Sequence, residues 1–170
     1  LGEIAKPVAK FAKAFDMPVQ YWARERQPEA EAELGIRYVS WDEVWGTSDV
    51  VALMLALNAQ TEGIVGAREF AMMRPGSLFV NIARGKLVDQ PAMTAAIASG
   101  RIDAALDVFA TEPLPADDPL IALHDGANEH LTITPHNAWG SPWTWVRDSQ
   151  EIWLNVKRLL EGEQLRWVIG

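Results

Sequence analysis

The sequence predicts an α/β fold built on a doubly wound parallel sheet, and three observations support this prediction. Short apolar segments rich in β-branched residues recur along the chain. Segments with apolar residues at helical spacing separate them, without an internal repeat or a low-complexity tract. The clearest strand, residues 78–82, follows the turn residues Pro75 and Gly76. Alternation of this kind is typical of a parallel sheet that helices cover on both faces.

Composition limits the class of protein. The chain has 170 residues, no cysteine and a formal net charge of −8. This length suits one globular domain, and a sequence without cysteine has neither a disulfide framework nor a thiolate metal site. The negative charge argues against a nucleic-acid partner, and no apolar run in the sequence is long enough to span a membrane. We therefore expect a cytoplasmic domain that binds neither nucleic acid nor membrane.

The first residues look like the end of a glycine-rich turn that opens a helix. Four apolar residues share one helical face: Ile4, Val8, Phe11 and Phe15. This spacing predicts a helix over residues 2–15 packed on a sheet. If Gly2 is the middle glycine of a G-x-G-x-x-[G/A] turn, the first strand of a Rossmann-type sheet is missing and the sequence is a fragment. The backbone N–H groups of Glu3 and Ile4 would then face a diphosphate, and a truncated helix without a ligand is the alternative.

The end of the next strand, residues 17–22, bears on the choice of cofactor. In dinucleotide-binding folds an acidic residue at this point binds the ribose 2′-hydroxyl, whereas an arginine accommodates a 2′-phosphate. Ala23 occupies the position of the acid, and Arg24 and Arg26 follow it. This pattern favours NADP over NAD, although Glu25 could act as the acid if the register slips.

The remaining elements alternate to the carboxyl end. The pattern Ser40-x-x-Glu43 predicts a capping box and a short helix ending near Gly46. We predict further strands at residues 36–39, 49–55, 102–108 and 131–134, and further helices at residues 28–34, 65–73, 90–99 and 120–123. Asp89 caps the helix at 90–99, and Ser141 caps a long helix that runs to about residue 161, ends at Gly162 and precedes an extended tail at 165–169.

Two domains follow from this order. We predict a dinucleotide-binding domain over residues 1–140. Residues 141–170 form the long helix and tail, which lead back towards a substrate domain absent from the sequence. The long helix carries an apolar stripe that includes Trp145, Ile152, Val156 and Leu160. Its tryptophans, Trp143, Trp145 and Trp153, are expected to be packing or subunit-contact residues.

Three side chains with complementary chemistry follow strand ends. Arg84 comes two residues after the strand at 78–82, where a guanidinium can bind a carboxylate or phosphate through two hydrogen bonds. Glu112 follows the strand at 102–108, and His136 follows Pro135 after the strand at 131–134. A carboxylate partner raises the pKa of a histidine, which can then donate a proton near neutral pH. The set suits reduction of a 2-oxo acid, with a surface arginine and a structural histidine as the alternatives.

Two other chemistries lack support in the sequence. His124 and His130 have no metal-ligand spacing with His136, so we predict no metal site. A Ser-His-Asp hydrolase is also not indicated, because the sequence contains no G-x-S-x-G motif.

Three motifs resemble those of the D-isomer-specific 2-hydroxyacid dehydrogenase family, in the family's order and spacing. They are Val80-Asn81-Ile82-Ala83-Arg84-Gly85-x-Leu87-Val88-Asp89, Ala105-Leu106-Asp107-Val108-Phe109-x-x-Glu112-Pro113 and Thr134-Pro135-His136. The run Trp22-x-Arg24-x-Arg26 and the sequence His136-x-Ala138-Trp139 are similar to those of glyoxylate/hydroxypyruvate reductase and glycerate dehydrogenase members. The resemblance covers essentially the whole chain.

The resemblance implies a role for each matching residue. Arg84, Glu112 and His136 would be catalytic, with Arg84 on the substrate carboxylate, His136 as general acid and Glu112 as its partner. Arg84, His136 and Trp139 would bind substrate. The implied cofactor-binding residues are Gly2, Glu3, Ile4, Ala23, Arg24, Thr61, Ile82, Ala83, Arg84, Asp107 and His136, with Asp107 on the nicotinamide carboxamide. The cofactor would be NADP or NAD, the substrate a small 2-oxo or D-2-hydroxy acid, and the assembly a homodimer joined through the nucleotide-binding domain.

The same scaffold supports a second hypothesis. In transcriptional corepressors a related domain senses a dinucleotide and controls association with partners, and such proteins can keep the same three side chains. The motifs alone do not separate the two functions. Rapid oxidation of a reduced nicotinamide cofactor with a small 2-oxo acid would favour the enzyme.

Overall fold

The computed structural model describes residues 1–126, 129–138 and 140–166. The strands are β1 (Gln20–Tyr21), β2 (Arg37–Tyr38), β3 (Val50–Leu53), β4 (Ser77–Asn81), β5 (Ile102–Leu106) and β6 (Leu131–Ile133). The α-helices are α1 (Ala5–Ala14), α2 (Pro28–Leu34), α3 (Trp41–Thr47), α4 (Ala67–Met72), α5 (Gln90–Ala98), α6 (Pro119–Asp125) and α7 (Pro142–Glu161), and a 3₁₀ turn spans Gly85–Leu87. The chain divides into two compact units, Leu1–Pro135 and His136–Gly170.

The strands of the first unit form two parallel sheets. β1 pairs with β2, and a second sheet has the order β3-β4-β5-β6. The predicted parallel α/β architecture is therefore confirmed. Within the described residues no strand pairing joins β1 to β3, and in a doubly wound order the first strand would lie between them.

The core of the first unit lies along the four-stranded sheet. Alternate residues of β4 and β5 are buried, as expected for strands packed by helices. Trp45 on α3, Phe70 on α4 and Phe79 on β4 pack as an aromatic cluster with ring centroids 5.3 to 6.3 Å apart. All three are almost fully buried, so this cluster fixes α3 and α4 against the sheet.

A buried carboxylate links α3 to α4. Glu69 is 6% exposed and accepts hydrogen bonds from Trp41 Nε1 (3.0 Å), the backbone N–H of Gly66 (3.0 Å) and Arg68 Nη1 (3.1 Å). Burial by itself raises the pKa of Glu69, but these hydrogen bonds together hold that pKa below its ordinary value. The carboxylate is therefore ionised at neutral pH and ties the amino end of α4 in place.

The helix boundaries signalled by capping residues are confirmed. Side-chain oxygens of Ser40, Asp89 and Ser141 accept hydrogen bonds from backbone N–H groups in the first turns of α3, α5 and α7. Gly162 ends α7 with φ 71°, the left-handed conformation for which glycine is favoured. These signals are local in sequence, which is why they can be identified without the fold.

Several predicted segments are shorter in the structure, and two of them show why. The helix predicted from residue 65 begins at Ala67, because Val65 forms a parallel bridge with Val88 and its N–H donates to the carbonyl of Leu87. The strand predicted at 17–22 has only two paired residues, which are those of β1. Of the predicted tail at 165–169, residues 167–169 lie outside the described residues.

The predicted packing of α1 is wrong in its choice of face. Ile4, Val8, Phe11 and Phe15 are exposed, with Phe15 at 79%. The helix instead buries Ala9 against Tyr21 and Ile36. The buried side of α1 is thus formed by a small alanine, and the large apolar side chains are left on the outer face.

The second unit is described by itself and contains α7. The three tryptophans of α7 are exposed, at 84% for Trp143, 62% for Trp145 and 72% for Trp153. Ile152 and Leu160 are also exposed, so the predicted stripe forms an apolar surface on the helix. The subunit contacts predicted for the tryptophans stay a prediction. In the described part of the chain, no helix is both long enough and apolar enough to cross a membrane.

Candidate active site

Arg84 lies in a turn that a buried asparagine holds in place. Asn81, the last residue of β4, is 1% exposed. Its Oδ1 accepts from the N–H of Ala83 (3.0 Å), and its Nδ2 donates to the carbonyl of Arg84 (3.2 Å). The exposed Arg84 guanidinium donates from Nη1 to the carbonyl of Ala83 (2.6 Å). No role was predicted for Asn81 from the sequence. The feature that could have identified it is a polar residue at the end of an apolar strand.

The turn that carries Arg84 lies directly against the loop that follows β5. A Cβ atom on Gly85 would lie 1.8 Å from the carbonyl carbon of Phe109 and 2.4 Å from the backbone nitrogen of Ala110. Only glycine therefore fits at this position, because the two backbones are already in contact. The structure thus brings the Arg84 turn and the Glu112 loop together, as the sequence predicts for loops at the carboxyl ends of neighbouring parallel strands.

Gln90 fastens the Glu112 loop to α5. Its Oε1 accepts from the N–H of Ala110 (2.9 Å), and its Nε2 donates to Asp118 Oδ2 (2.8 Å). Glu112 is exposed, and its Oε1 accepts from the N–H of Phe109 (2.9 Å). Two side chains therefore hold this loop in one conformation, and Gln90 was not identified from the sequence because its partners are 20 and 28 residues away.

Asp107 is buried at the point where β5 ends. It is 3% exposed, and its Oδ1 accepts a 2.5 Å hydrogen bond from Thr134 Oγ1, just after β6. Its N–H donates to the carbonyl of Asn81 (3.0 Å). Asp107 thus connects the ends of three neighbouring strands, β4, β5 and β6, and lies beside the turn that carries Arg84.

His136 and Trp139 belong to the part of the chain after the first unit. His136 follows Pro135, is half-buried and has φ 52°, a left-handed conformation that is uncommon for residues other than glycine. Its grouping with Arg84 and Glu112 stays a prediction, since His136 belongs to the second unit and the other two residues to the first. Trp139 lies outside the described residues.

The amino end of α1 has the backbone expected of a diphosphate site. Gly2, Glu3 and Ile4 are exposed, and no side chain caps the first turn of this helix. Uncapped N–H groups at a helix amino end attract anions, because the helix dipole adds to their own partial charge. These residues therefore fit the predicted cofactor group.

Other predicted cofactor residues line loop ends of the first unit. Thr61 closes the loop after β3, since its Oγ1 donates to the carbonyl of Ala56 (2.7 Å) and accepts from the N–H of Asn58 (2.8 Å). Ile82 is 37% exposed and Ala83 is half-buried, both in the turn that precedes Arg84. In the described ranges, no group of three histidine, cysteine, aspartate or glutamate side chains could hold a metal ion.

The loop after β1 holds the predicted determinants of cofactor choice. Ala23 is half-buried and presents no polar side chain. Arg24 is exposed, and within the described part of the chain its guanidinium has no hydrogen bond or ion pair. Arg26 differs, because its guanidinium binds Glu31 through Nε (2.9 Å) and Nη2 (2.8 Å). The two arginines of the sequence motif are therefore not equivalent.

Comparison with known proteins is consistent with this geometry. A family model described as "D-isomer specific 2-hydroxyacid dehydrogenase, NAD binding domain" matches residues 1–138. The glyoxylate/hydroxypyruvate reductase B of Citrobacter koseri is 41% identical over 141 residues, which cover 78% of this chain and 44% of that protein. The glyoxylate reductase of Korarchaeum cryptofilum is 36% identical over 164 residues, or 96% of this chain and 48% of that protein.

A solved structure gives the same result for the fold. The crystal structure of D-lactate dehydrogenase with NAD+ from Lactobacillus jensenii superimposes with a TM-score of 0.88 at 26% identity. The match covers 100% of this chain and 53% of that one. The chain thus spans about half the length of the relatives it matches.

Proposed function

The chain belongs to the D-isomer-specific 2-hydroxyacid dehydrogenase family, and from this premise we propose that it takes part in hydride transfer between a nicotinamide cofactor and a small 2-oxo or D-2-hydroxy acid. Glyoxylate and hydroxypyruvate are the proposed substrates, in keeping with the names of the relatives. The observation that carries the proposal is the exposed Arg84 guanidinium, presented by the Asn81-bound turn beside the Glu112 loop. A planar, fixed cation suits a carboxylate-bearing substrate.

Each catalytic side chain has a proposed task. Arg84 binds the substrate carboxylate and orients the carbonyl carbon towards the hydride donor. His136 donates a proton to the carbonyl oxygen during reduction and accepts it back during oxidation. Glu112 pairs with His136 and holds its imidazole in orientation. Trp139 contributes to the substrate pocket, and a bound nicotinamide cofactor would supply the hydride.

The proposed cofactor site extends along the first unit. The uncapped amino end of α1, with Gly2, Glu3 and Ile4, binds the diphosphate. Thr61 and the backbone of Ile82 and Ala83 also line the cofactor. Asp107 accepts a hydrogen bond from the carboxamide, and its burial beside Thr134 holds it in position for that contact.

We propose NADP as the preferred cofactor. Ala23 has no acceptor for a ribose hydroxyl, whereas Arg24, which has no hydrogen bond or ion pair in the described part of the chain, can donate to a phosphate dianion. Arg24→Ala should therefore erase most of the preference for NADPH over NADH in kcat/KM. A clear preference for NADH in the unsubstituted protein would contradict the proposal and indicate that Glu25 faces the ribose.

Three further features of the protein are proposed. The exposed apolar stripe of α1 supports a homodimer joined through this domain, which light scattering after size-exclusion chromatography would test. A second domain would supply the rest of the substrate site, since the relatives are about twice as long. We propose the cytoplasm as the compartment, which suits a sequence without cysteine.

The decisive experiment is a turnover assay on the purified full-length parent protein, because the 170-residue chain alone is not expected to turn over without the second domain. NADPH oxidation is followed at saturating glyoxylate or hydroxypyruvate, with His136→Ala as the matched inactive variant. We expect turnover that falls by about a hundredfold or more in His136→Ala, the usual scale for a lost general acid. Equally slow NADPH oxidation by the unsubstituted protein and by His136→Ala would refute the proposed enzymatic activity. Cofactor-dependent association without turnover would instead support a dinucleotide-sensing module of the corepressor type.

A further inference from the structure

We propose that Glu31 limits the preference for NADPH by holding Arg26 in an ion pair, so that Arg24 is the one arginine of this loop available to a 2′-phosphate. This inference rests on the proposed function, because it assigns the residues that tune its cofactor choice. Glu31 is on α2 and acts through Arg26, so it is a positioning residue and makes no proposed contact with the cofactor.

The contact between Glu31 and Arg26 occupies the side of the guanidinium that would otherwise bind phosphate. Nε donates to Glu31 Oε1 (2.9 Å) and Nη2 donates to Glu31 Oε2 (2.8 Å), which is the two-pronged geometry that an arginine also uses for phosphate oxygens. The guanidinium carbon also lies 5.9 Å from the centre of the Tyr38 ring. The Arg26 side chain is 62% exposed, so this pairing, and not burial, restrains it.

The carboxylate of Glu31 is fixed from a second direction. Its Oε1 also accepts from the hydroxyl of Tyr21 (3.0 Å), and that hydroxyl accepts from the N–H of Gln27 (2.7 Å). The Glu31 side chain is only 15% exposed. The loop that carries Ala23 and Arg24 is therefore closed at its far end by a chain of three hydrogen-bonded residues, Tyr21, Glu31 and Arg26.

The charges of this loop follow from that geometry. The Glu31 carboxylate cancels the charge of Arg26, and the hydrogen bond from Arg26 is the main reason that the pKa of Glu31 lies below its ordinary value. The pair is consequently ionised and neutral overall near pH 7. Arg24 is exposed, and in the described ranges it has no carboxylate partner. A 2′-phosphate that reaches this loop therefore meets one uncompensated cation where the sequence motif suggests two.

The test compares Glu31→Gln with Glu33→Gln on the same helix. Each substitution removes one negative charge, but Glu33 is exposed and has no side-chain partner among the described residues. The readout is the ratio of the dissociation constants of NADH and NADPH, measured by titration calorimetry on the purified protein without substrate. We expect Glu31→Gln to raise this ratio about fivefold in favour of NADPH, the scale of one additional exposed charged contact, and Glu33→Gln to leave it unchanged.

A double substitution shows whether the gain passes through Arg26. In the Arg26→Ala background, Glu31→Gln should give no rise in the ratio, because no guanidinium is left to release. A ratio that stays constant or falls in Glu31→Gln would overturn the inference, as would an equal rise in Glu33→Gln. Each of these results leaves cofactor binding intact and so leaves the proposed function standing. Failure of the unsubstituted protein to bind either cofactor would overturn both.

Discussion

Gly85→Ala is expected to destabilise the protein strongly, because the new methyl group has no space between two backbones. Its Cβ would lie 1.8 Å from the carbonyl carbon of Phe109, whereas ordinary contact begins at 3.4 Å. The turn and the loop would have to separate by about 1.6 Å, and neither can move aside by rotating a side chain. Overpacking in a core costs about 1–3 kcal/mol when side chains can yield, so we expect at least about 3 kcal/mol here.

Thermal unfolding followed by circular dichroism tests this expectation. For a chain of this size, about 3 kcal/mol corresponds to a fall in Tm of roughly 6–12 °C. Gly46→Ala is the matched control, because no atom lies within 4 Å of the added Cβ and the residue is exposed near the end of α3. Alanine favours a helix over glycine by about 0.5–1 kcal/mol, so the control should not lower Tm. Equal Tm values for Gly85→Ala and Gly46→Ala would refute the reasoning.

Three further predictions concern charged residues. Arg84→Ala should raise KM for glyoxylate sharply, whereas Lys86→Ala, at an exposed neighbouring residue, should leave KM unchanged. Equal KM values for the two variants would show that Arg84 is not part of the site. Glu112→Gln keeps an oxygen for the N–H of Phe109 but should lower kcat of reduction, because the carboxylate proposed to pair with His136 is lost. An unchanged kcat would contradict the pairing. Glu69→Gln should cost about 1–2 kcal/mol of unfolding free energy at pH 7. The pKa of Glu69 is lowered in the folded protein, so its contribution to stability is present above the ordinary value of 4.5 and is lost as the pH falls below that value. Denaturant titrations of the unsubstituted protein and Glu69→Gln should therefore converge in acid. A difference in unfolding free energy that stays constant with pH would contradict this prediction.

The parts of the fold that local sequence encodes were predictable. The strand expected at 78–82 is β4 displaced by one residue, and the helix expected at 90–99 is α5 with its cap on Asp89. Both depend on periodicity and on hydrogen bonds between residues three or four apart. The identity of Arg84 and Glu112 as loop residues beyond strand ends follows from the same local information.

The parts that depend on distant contacts were not predictable. Which face of α1 is buried is decided by Tyr21 and Ile36, and a helical pattern does not identify its neighbours. Val65 leaves its expected helix because Val88, 23 residues later, offers a backbone partner. The ion pair of Arg26 with Glu31 joins residues only five apart, but it too was missed, because the motif suggests two equivalent arginines and the path of the chain into α2 makes them different.

The outward-facing apolar stripes of α1 and α7 have a consequence for how the protein behaves in concentrated solution. Phe11 and Phe15 on one helix, and Trp143 and Trp153 on the other, are each more than 65% exposed. Association of such surfaces beyond the proposed homodimer is opposed by mutual repulsion, which the net charge of −8 supplies near neutral pH. Acidification neutralises carboxylates but leaves the aromatic surface untouched. Solubility should therefore pass through a sharp minimum in mild acid, and added salt should bring on the same clustering near neutral pH by screening that repulsion.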